Sequence, residues 1–310
     1  MPYPFSMQDK FHYGGQAVIE GVMLRGKRAC VTALRRPAGD ITVLAEPLGG
    51  LYISPLRKIP LLRGNLVLLE AMTLGIKTLL FSASVSLEEE DKKEASGGLV
   101  WGLFALSLAF VAGLFFVTPL LLTRLVNRYF TLSPVIFHLT EGIIRLAIFI
   151  VYLVLVSLLG DIKRIFAYHG AEHKVVNAYE GGTTDGIDAV RNYSRIHLRC
   201  GTSFLFAVMV LAILIFSFVP RTSLYVMLLS RVLLIPVIAA LSYEVTYFSS
   251  QHPENPVVKA ILLPGLLLQR LTTREPDDAQ LEVALTAMKK VVEMDSPSPV
   301  PDSVSSQASA

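Results

Sequence analysis

Cysteine is scarce: Cys30 and Cys200 are the two in 310 residues, too few for the disulfide framework of a small secreted fold. The first 95 residues lack a basic segment followed by an apolar run and a small-residue cleavage site, so no secretory signal peptide is expected. The glycine-rich stretch from Gly14 to Met23 does not have the G-x-G-x-x-G spacing, which excludes a dinucleotide phosphate loop there. No internal repeat is visible, which leaves a transporter built from duplicated halves with little support. Charged residues make up 17% of the chain and the net charge is +3, so no nucleic-acid partner is expected.

Apolar residues, by contrast, are abundant. They reach 53% of the chain, and the mean hydropathy of +0.54 is well above that of an ordinary soluble domain. They also come in blocks. Leu99 to Leu122 carries no charge, and Ile143 to Gly160 carries Arg145 alone. Ser203 to Val219 is a third block; Leu224 to Tyr243 is a fourth, with Arg231 and Pro236 inside it. About 20 apolar residues in a helix cross a bilayer, so the sequence predicts a mainly α integral membrane protein with about four transmembrane helices.

The distribution of Lys and Arg orients these spans. There are 12 before the first block, 2 between the first and second, 6 in the next connection, 1 in the next and 5 after the fourth. Under the positive-inside rule this alternation puts both termini and the 161–202 loop in the cytosol. The loops near 123–142 and 220–223 then face outward.

The remaining segments read as soluble or interfacial. Residues 1–98 form an N-terminal cytosolic or interfacial region. In it, the runs Ala29–Arg35 and Ile41–Glu46, joined by Arg36-Pro37-Ala38-Gly39-Asp40, predict a β-hairpin. Residues 59–85 are apolar but carry Arg63, Glu70 and Lys77 seven apart, which predicts an amphipathic helix lying on the membrane or packed on the spans. A charge run at 87–94 reads as a linker. Beyond the membrane domain, 99–243, the 244–294 segment is a C-terminal cytosolic or interfacial helical region. It holds an apolar stretch at 257–271 interrupted by Pro264-Gly265, then a helix from Pro276 to Val292. The Ser/Pro-rich tail, 295–310, reads as disordered.

The chemistry concentrates in the 161–202 loop, where three of the six histidines fall between 169 and 197. On a helix, His169 and His173 project from one face and can share a divalent metal ion. Glu172 lies beside them as a general base for water, in the H-x-x-E-H order of inverted zincins. The best candidates for further ligands are His197, Cys200 and Glu244, and a Cys or His suits zinc. Histidines that merely hydrogen-bond at a membrane surface are the plainer alternative. Arg231 lies inside the fourth block, where an ionisable group is costly and must pair, snorkel or mark a break. His138, Glu141 and Arg145 share a face at the outer end of the second span, away from the histidine loop.

Five stretches carry a resemblance. They are Tyr13 to Gly26, Tyr168-His169-Gly170-Ala171-Glu172-His173-Lys174, and His197-Leu198-Arg199-Cys200-Gly201-Thr202-Ser203-Phe204. Ser242-Tyr243-Glu244 and Leu268 to Pro276 complete the set. The chain closely resembles the YqhQ-like family of bacterial membrane proteins across roughly 11–294, with Leu24 standing where a second methionine is usual. The resemblance implies a multi-pass protein of the bacterial cytoplasmic membrane and a predicted metal-dependent enzyme, with no established substrate. The resulting expectation is a hydrolase at the cytosolic membrane face acting on a lipid or membrane peptide, with Glu20 or Glu244 as a fourth ligand or supporting group. The competing expectation is a non-catalytic scaffold or assembly factor with a structural metal.

Overall fold

Alternating side chains in the N-terminal segment build an antiparallel sheet. The computed structural model describes residues 11–86, 97–183, 186–220, 223–252 and 255–296, so the 87–94 charge run and nearly all of the tail lie outside the described residues. Among the described residues the chain is mainly helical, with one four-stranded sheet. The strands are β1 (Gly14–Val18), β2 (Gly21–Arg25), β3 (Ala29–Arg35) and β4 (Ile41–Pro47), paired in sequence order. The expected hairpin is β3–β4, with Arg35 opposite Ile41, and the glycine-rich segment adds two further strands. The tight β1–β2 connection puts Glu20 at a φ of 55°, the left-handed region that non-glycine residues rarely enter.

The strand period of two decides what each face covers. Val22 and Leu24 of β2 and Val31 and Ala33 of β3 point to one face. There they meet Tyr168, Ala171 and Val175 of α5 (Gly160–Glu180) and Leu281, Ala284 and Met288 of α11 (Asp278–Asp295). Met23 and Cys30 point to the other face, with Leu48, and meet Leu74 of α1 (Leu62–Ser86). The sheet is therefore covered on one side by α5 and α11, distant in sequence, and on the other by α1, which follows it. Asp277 caps α11: its side chain accepts from the Gln280 amide, and the Gln280 side chain accepts from the Asp277 amide.

Helix α1 turns its polar stripe inward. Arg63 pairs with Glu244, Glu70 takes both Arg25 and Arg57, and Lys77 reaches Glu46. Leu69, Met72, Ile76, Leu79 and Leu80 on the opposite side are exposed. The seven-residue spacing in the sequence is thus the line along which α1 lies on polar partners.

By length and composition, three helical segments among the described residues could cross a membrane: Leu62–Ser86, Gly102–Phe130 and Pro134–Val156. A fourth arises if α8 (Leu224–Leu233) and α9 (Ile235–Gln251), bent by 46°, form one span. Several expected boundaries shift. The first apolar block continues to Phe130 through α2 (Gly97–Ala112), a π-helical turn at Gly113–Val117 and α3 (Thr118–Phe130). The second becomes α4 (Pro134–Val156), capped by Ser133, whose hydroxyl accepts from the Ile136 amide. The third becomes the 16-residue α7 (Gly201–Phe216), about 24 Å long at 1.5 Å per residue. The fourth is broken next to Pro236, which cannot donate to the preceding turn. Two further differences concern connections. The 161–202 loop is mostly α5 and the short α6 (Ile187–Arg191). The 257–271 segment is one helix, α10 (Pro256–Thr272), with Pro264 inside it and the next residue, Gly265, packed directly on Ser203.

The charges inside the apolar blocks find each other. Glu141 of α4 receives Arg145 from the same helix at 2.6 Å and Arg231 from α8. Arg145 also donates to the Phe115 carbonyl within the π-helical turn at 2.9 Å, and Arg231 lies over the Phe216 ring. All three are almost fully buried.

Candidate metal centre

Helix α5 presents His169 and His173 one turn apart, and their ring centroids lie 4.4 Å from each other. Each ring is tethered by its Nδ1 to a backbone carbonyl, His169 to Thr272 at 2.8 Å and His173 to Arg195 at 2.6 Å. A carbonyl only accepts, so each Nδ1 donates to its carbonyl and Nε2 is the ring nitrogen left for another partner. Cys200 stands at the N-cap of α7 with its Sγ 3.3 Å from His169 Nε2. Nε2 of His169, a ring nitrogen of His173 and Sγ of Cys200 form a set of donor atoms all within 4.8 Å of one another.

This arrangement suits a transition metal. Zinc bonds of about 2.0 Å to nitrogen and 2.3 Å to sulfur subtend about 3.5 Å between donors on a tetrahedral ion. The His169–Cys200 separation of 3.3 Å is already close to that. Histidine ligands typically donate their second ring N–H to a carbonyl or carboxylate, which fixes the tautomer, and both rings here do so.

Glu172 sits beside the trio, buried, with an oxygen 3.8 Å from His173 Nε2. Burial raises its carboxyl above the usual range, against the opposing pull of His169, His197 and a hydrogen bond from the Gly15 amide. The carboxylate is therefore tied to the sheet as well as to α5.

The other sequence candidates go elsewhere. The His197 ring lies 5.7 Å from that of His173 and faces Glu180, 3.6 Å away. Burial alone would raise Glu180, but hydrogen bonding from His197 and the charge of Arg199 bring it down to about 2. The His197 backbone is held by Gln269, whose side chain accepts from its amide at 2.9 Å and donates to its carbonyl at 2.8 Å. Glu244 is on Arg63 and the Leu61 amide, because the inward stripe of α1 brings that guanidinium to α9. Glu20 accepts from Arg164 and Tyr168. Neither carboxylate belongs to the trio. Sequence reasoning did not anticipate Gln269, Glu180 or the two carbonyl tethers. The stretch Leu268 to Pro276 was conspicuous, but backbone acceptors leave no trace in residue identity.

A cavity of about 650 Å³ opens directly from His169, His173, Glu172 and Cys200. Its remaining walls include residues of β1, β2, α1, α9 and the start of α7, together with Arg57.

Two comparisons bear on this chain. A family model described as protein of unknown function (DUF1385) matches residues 59–294. A protein described as uncharacterized protein YqhQ, from Bacillus subtilis (strain 168), is 36% identical over 296 residues, covering 91% of this chain and 93% of the relative. No solved structure matches.

Proposed function

The chain belongs to the DUF1385 family of proteins of unknown function, and we propose that it is a multi-pass membrane protein with a metal-dependent hydrolytic centre at the cytosolic face. The observation that carries the metal reading is the His169–His173–Cys200 cluster, whose donor atoms lie within 4.8 Å of one another and whose two rings are each tethered through Nδ1.

Parity of crossings supports the membrane topology. The sheet and α5 share one core, so the chain between them crosses the bilayer an even number of times. Three helices in that interval are long and apolar enough, so at most two of them cross. The one left in the interface is α1, whose inward face is bound to Arg25, Glu46 and Arg57 of the N-terminal region. The segment 102–130 and α4 then make two crossings; α7 and the bent α8–α9 pair make two more. This returns α11 to the side of the sheet, where it packs. Four spans with both termini on the basic side result, and the cytoplasmic membrane of a bacterium is the setting.

His169, His173 and Cys200 would hold the ion, three protein ligands with one position open, as in catalytic rather than closed structural sites. When bound, zinc would supply Lewis-acid polarisation of the scissile bond. The chain's own residues do the rest. Glu172 accepts the proton of the attacking water and returns it to the leaving group. His197, held by Gln269 and Glu180, lines the cavity beyond the trio and orients the substrate.

Elemental mass spectrometry of protein purified without a histidine tag tests this reading. About one zinc per chain, lost in His169→Ala/His173→Ala and kept in Glu172→Gln, is the expected result; no stoichiometric metal would overturn it. X-ray absorption showing four protein ligands and no open position would support the alternative, a scaffold with a structural ion.

A further inference from the structure

The cavity has two chemically different ends. One holds the trio and Glu172; elsewhere its wall includes Arg25 and Arg57, both paired to the single carboxylate of Glu70. Two guanidiniums on one buried carboxylate leave a net positive charge facing the cavity; Arg25 spends Nε on Glu70 and Nη2 on the Tyr52 carbonyl, so the open donors are chiefly those of Arg57. Much of the remaining wall is apolar, with Val67, Leu68 and Ala71 from α1 and Phe204 from α7. Tyr243 and Tyr247 face it from α9. The volume falls in the range of small-ligand pockets.

The two helices that form this apolar wall also carry exposed apolar side chains on their outer sides. Leu69 and Met72 of α1 and Val245 and Phe248 of α9 are exposed. In the topology above, those sides meet the bilayer. A soluble anion would have no use for the apolar wall, and a neutral lipid would have no use for the arginines.

We propose that the cavity takes an anionic membrane amphiphile, its phosphate or carboxylate head toward Arg25 and Arg57 and its chain along α1 and α9, entering from the bilayer side. This rests on the membrane placement but not on the metal. The aqueous headgroup layer on the cytosolic side is where the arginines lie, so the head need not cross hydrocarbon.

The test uses the full chain in maltoside micelles and native mass spectrometry. The probes are dioctanoyl phosphatidate, dioctanoyl phosphatidylcholine and inorganic phosphate. Phosphatidate is expected to be retained about tenfold better than phosphatidylcholine, with millimolar phosphate failing to displace it. Arg57→Gln, which leaves Glu70 paired with Arg25, should abolish the preference. Ala71→Trp, at an exposed position where folding is not at stake, should remove retention of both lipids. Treating the unmodified chain with a chelator should change neither, so a failed metal site and a failed lipid site give different results. Equal retention of the two lipids, a preference that survives Arg57→Gln, or displacement by phosphate alone would each overturn the proposal.

Discussion

The carbonyl oxygen of Arg274 lies where a side chain on Gly170 would begin: a Cβ at 170 would sit 2.0 Å from it. The Arg274 amide donates to the Phe166 carbonyl at 2.8 Å, so the strand-like segment after α10 is laid directly along α5. Thr272, two residues earlier, holds His169. Gly170→Ala should therefore destabilise the chain by about 3 kcal/mol and lower bound zinc with it. Thermal unfolding read beside metal content checks this; a stable variant with full zinc would contradict it.

Gln269 is fully buried and makes three hydrogen bonds, two to the backbone of His197 and one to Ser203. Gln269→Leu keeps the size but leaves the His197 amide and carbonyl without partners, at a cost of about 2–4 kcal/mol. Ser203→Ala removes one bond to a side chain and should cost less than about 1 kcal/mol. Equal melting temperatures for the two variants would show that the clamp is not structural.

Much of this fold was legible in local sequence, and much of the site was not. Residues 36–40 announce the β3–β4 turn because proline fixes its own φ and Gly39 takes the positive φ of 95° that the turn requires. The i, i+4 spacing of His169 and His173 is a property of any helix, so the pair could be read without the fold. Cys200 and His197 were equal candidates, since spacing cannot say which way a residue points between helices. In the fold Gln269 holds the His197 backbone, the His197 ring faces Glu180, and Cys200 stands at the cap of α7. Glu244 looked available because its partner, Arg63, is 181 residues away in sequence. The π-helical turn at 113–117 has no sequence signature, yet it supplies the carbonyl for Arg145.

The buried triad of Glu141, Arg145 and Arg231 predicts an order of damage. Glu141→Ala strands two guanidiniums in an apolar setting and should cost about 3–5 kcal/mol. Arg231→Ala leaves Glu141 with Arg145 and should be milder. Monodispersity and thermal stability in detergent rank the two; the reverse order would show that Arg231 is held chiefly by the Met227 carbonyl and the Phe216 ring.

Cys30 faces Leu74 between β3 and α1, and burial pushes its thiol up to about 11. The thiol is therefore uncharged at neutral pH, and alkylation needs the thiolate. At pH 7.5 iodoacetamide should modify it in the folded chain about a hundredfold more slowly than a free cysteine, with the rate recovering in urea. Rapid labelling of native Cys30 would mean that α1 leaves the sheet readily.

The tether between His169 and the Thr272 carbonyl spans 103 residues, and every apolar helix after α5 lies within that interval. The acceptor is the last residue of α10, so it is made only after α7, α8, α9 and the rest of α10. Until then His169 has no such tether. An unfinished chain has both histidines but not the hydrogen bond that orients the first: truncation before residue 272 removes the acceptor itself.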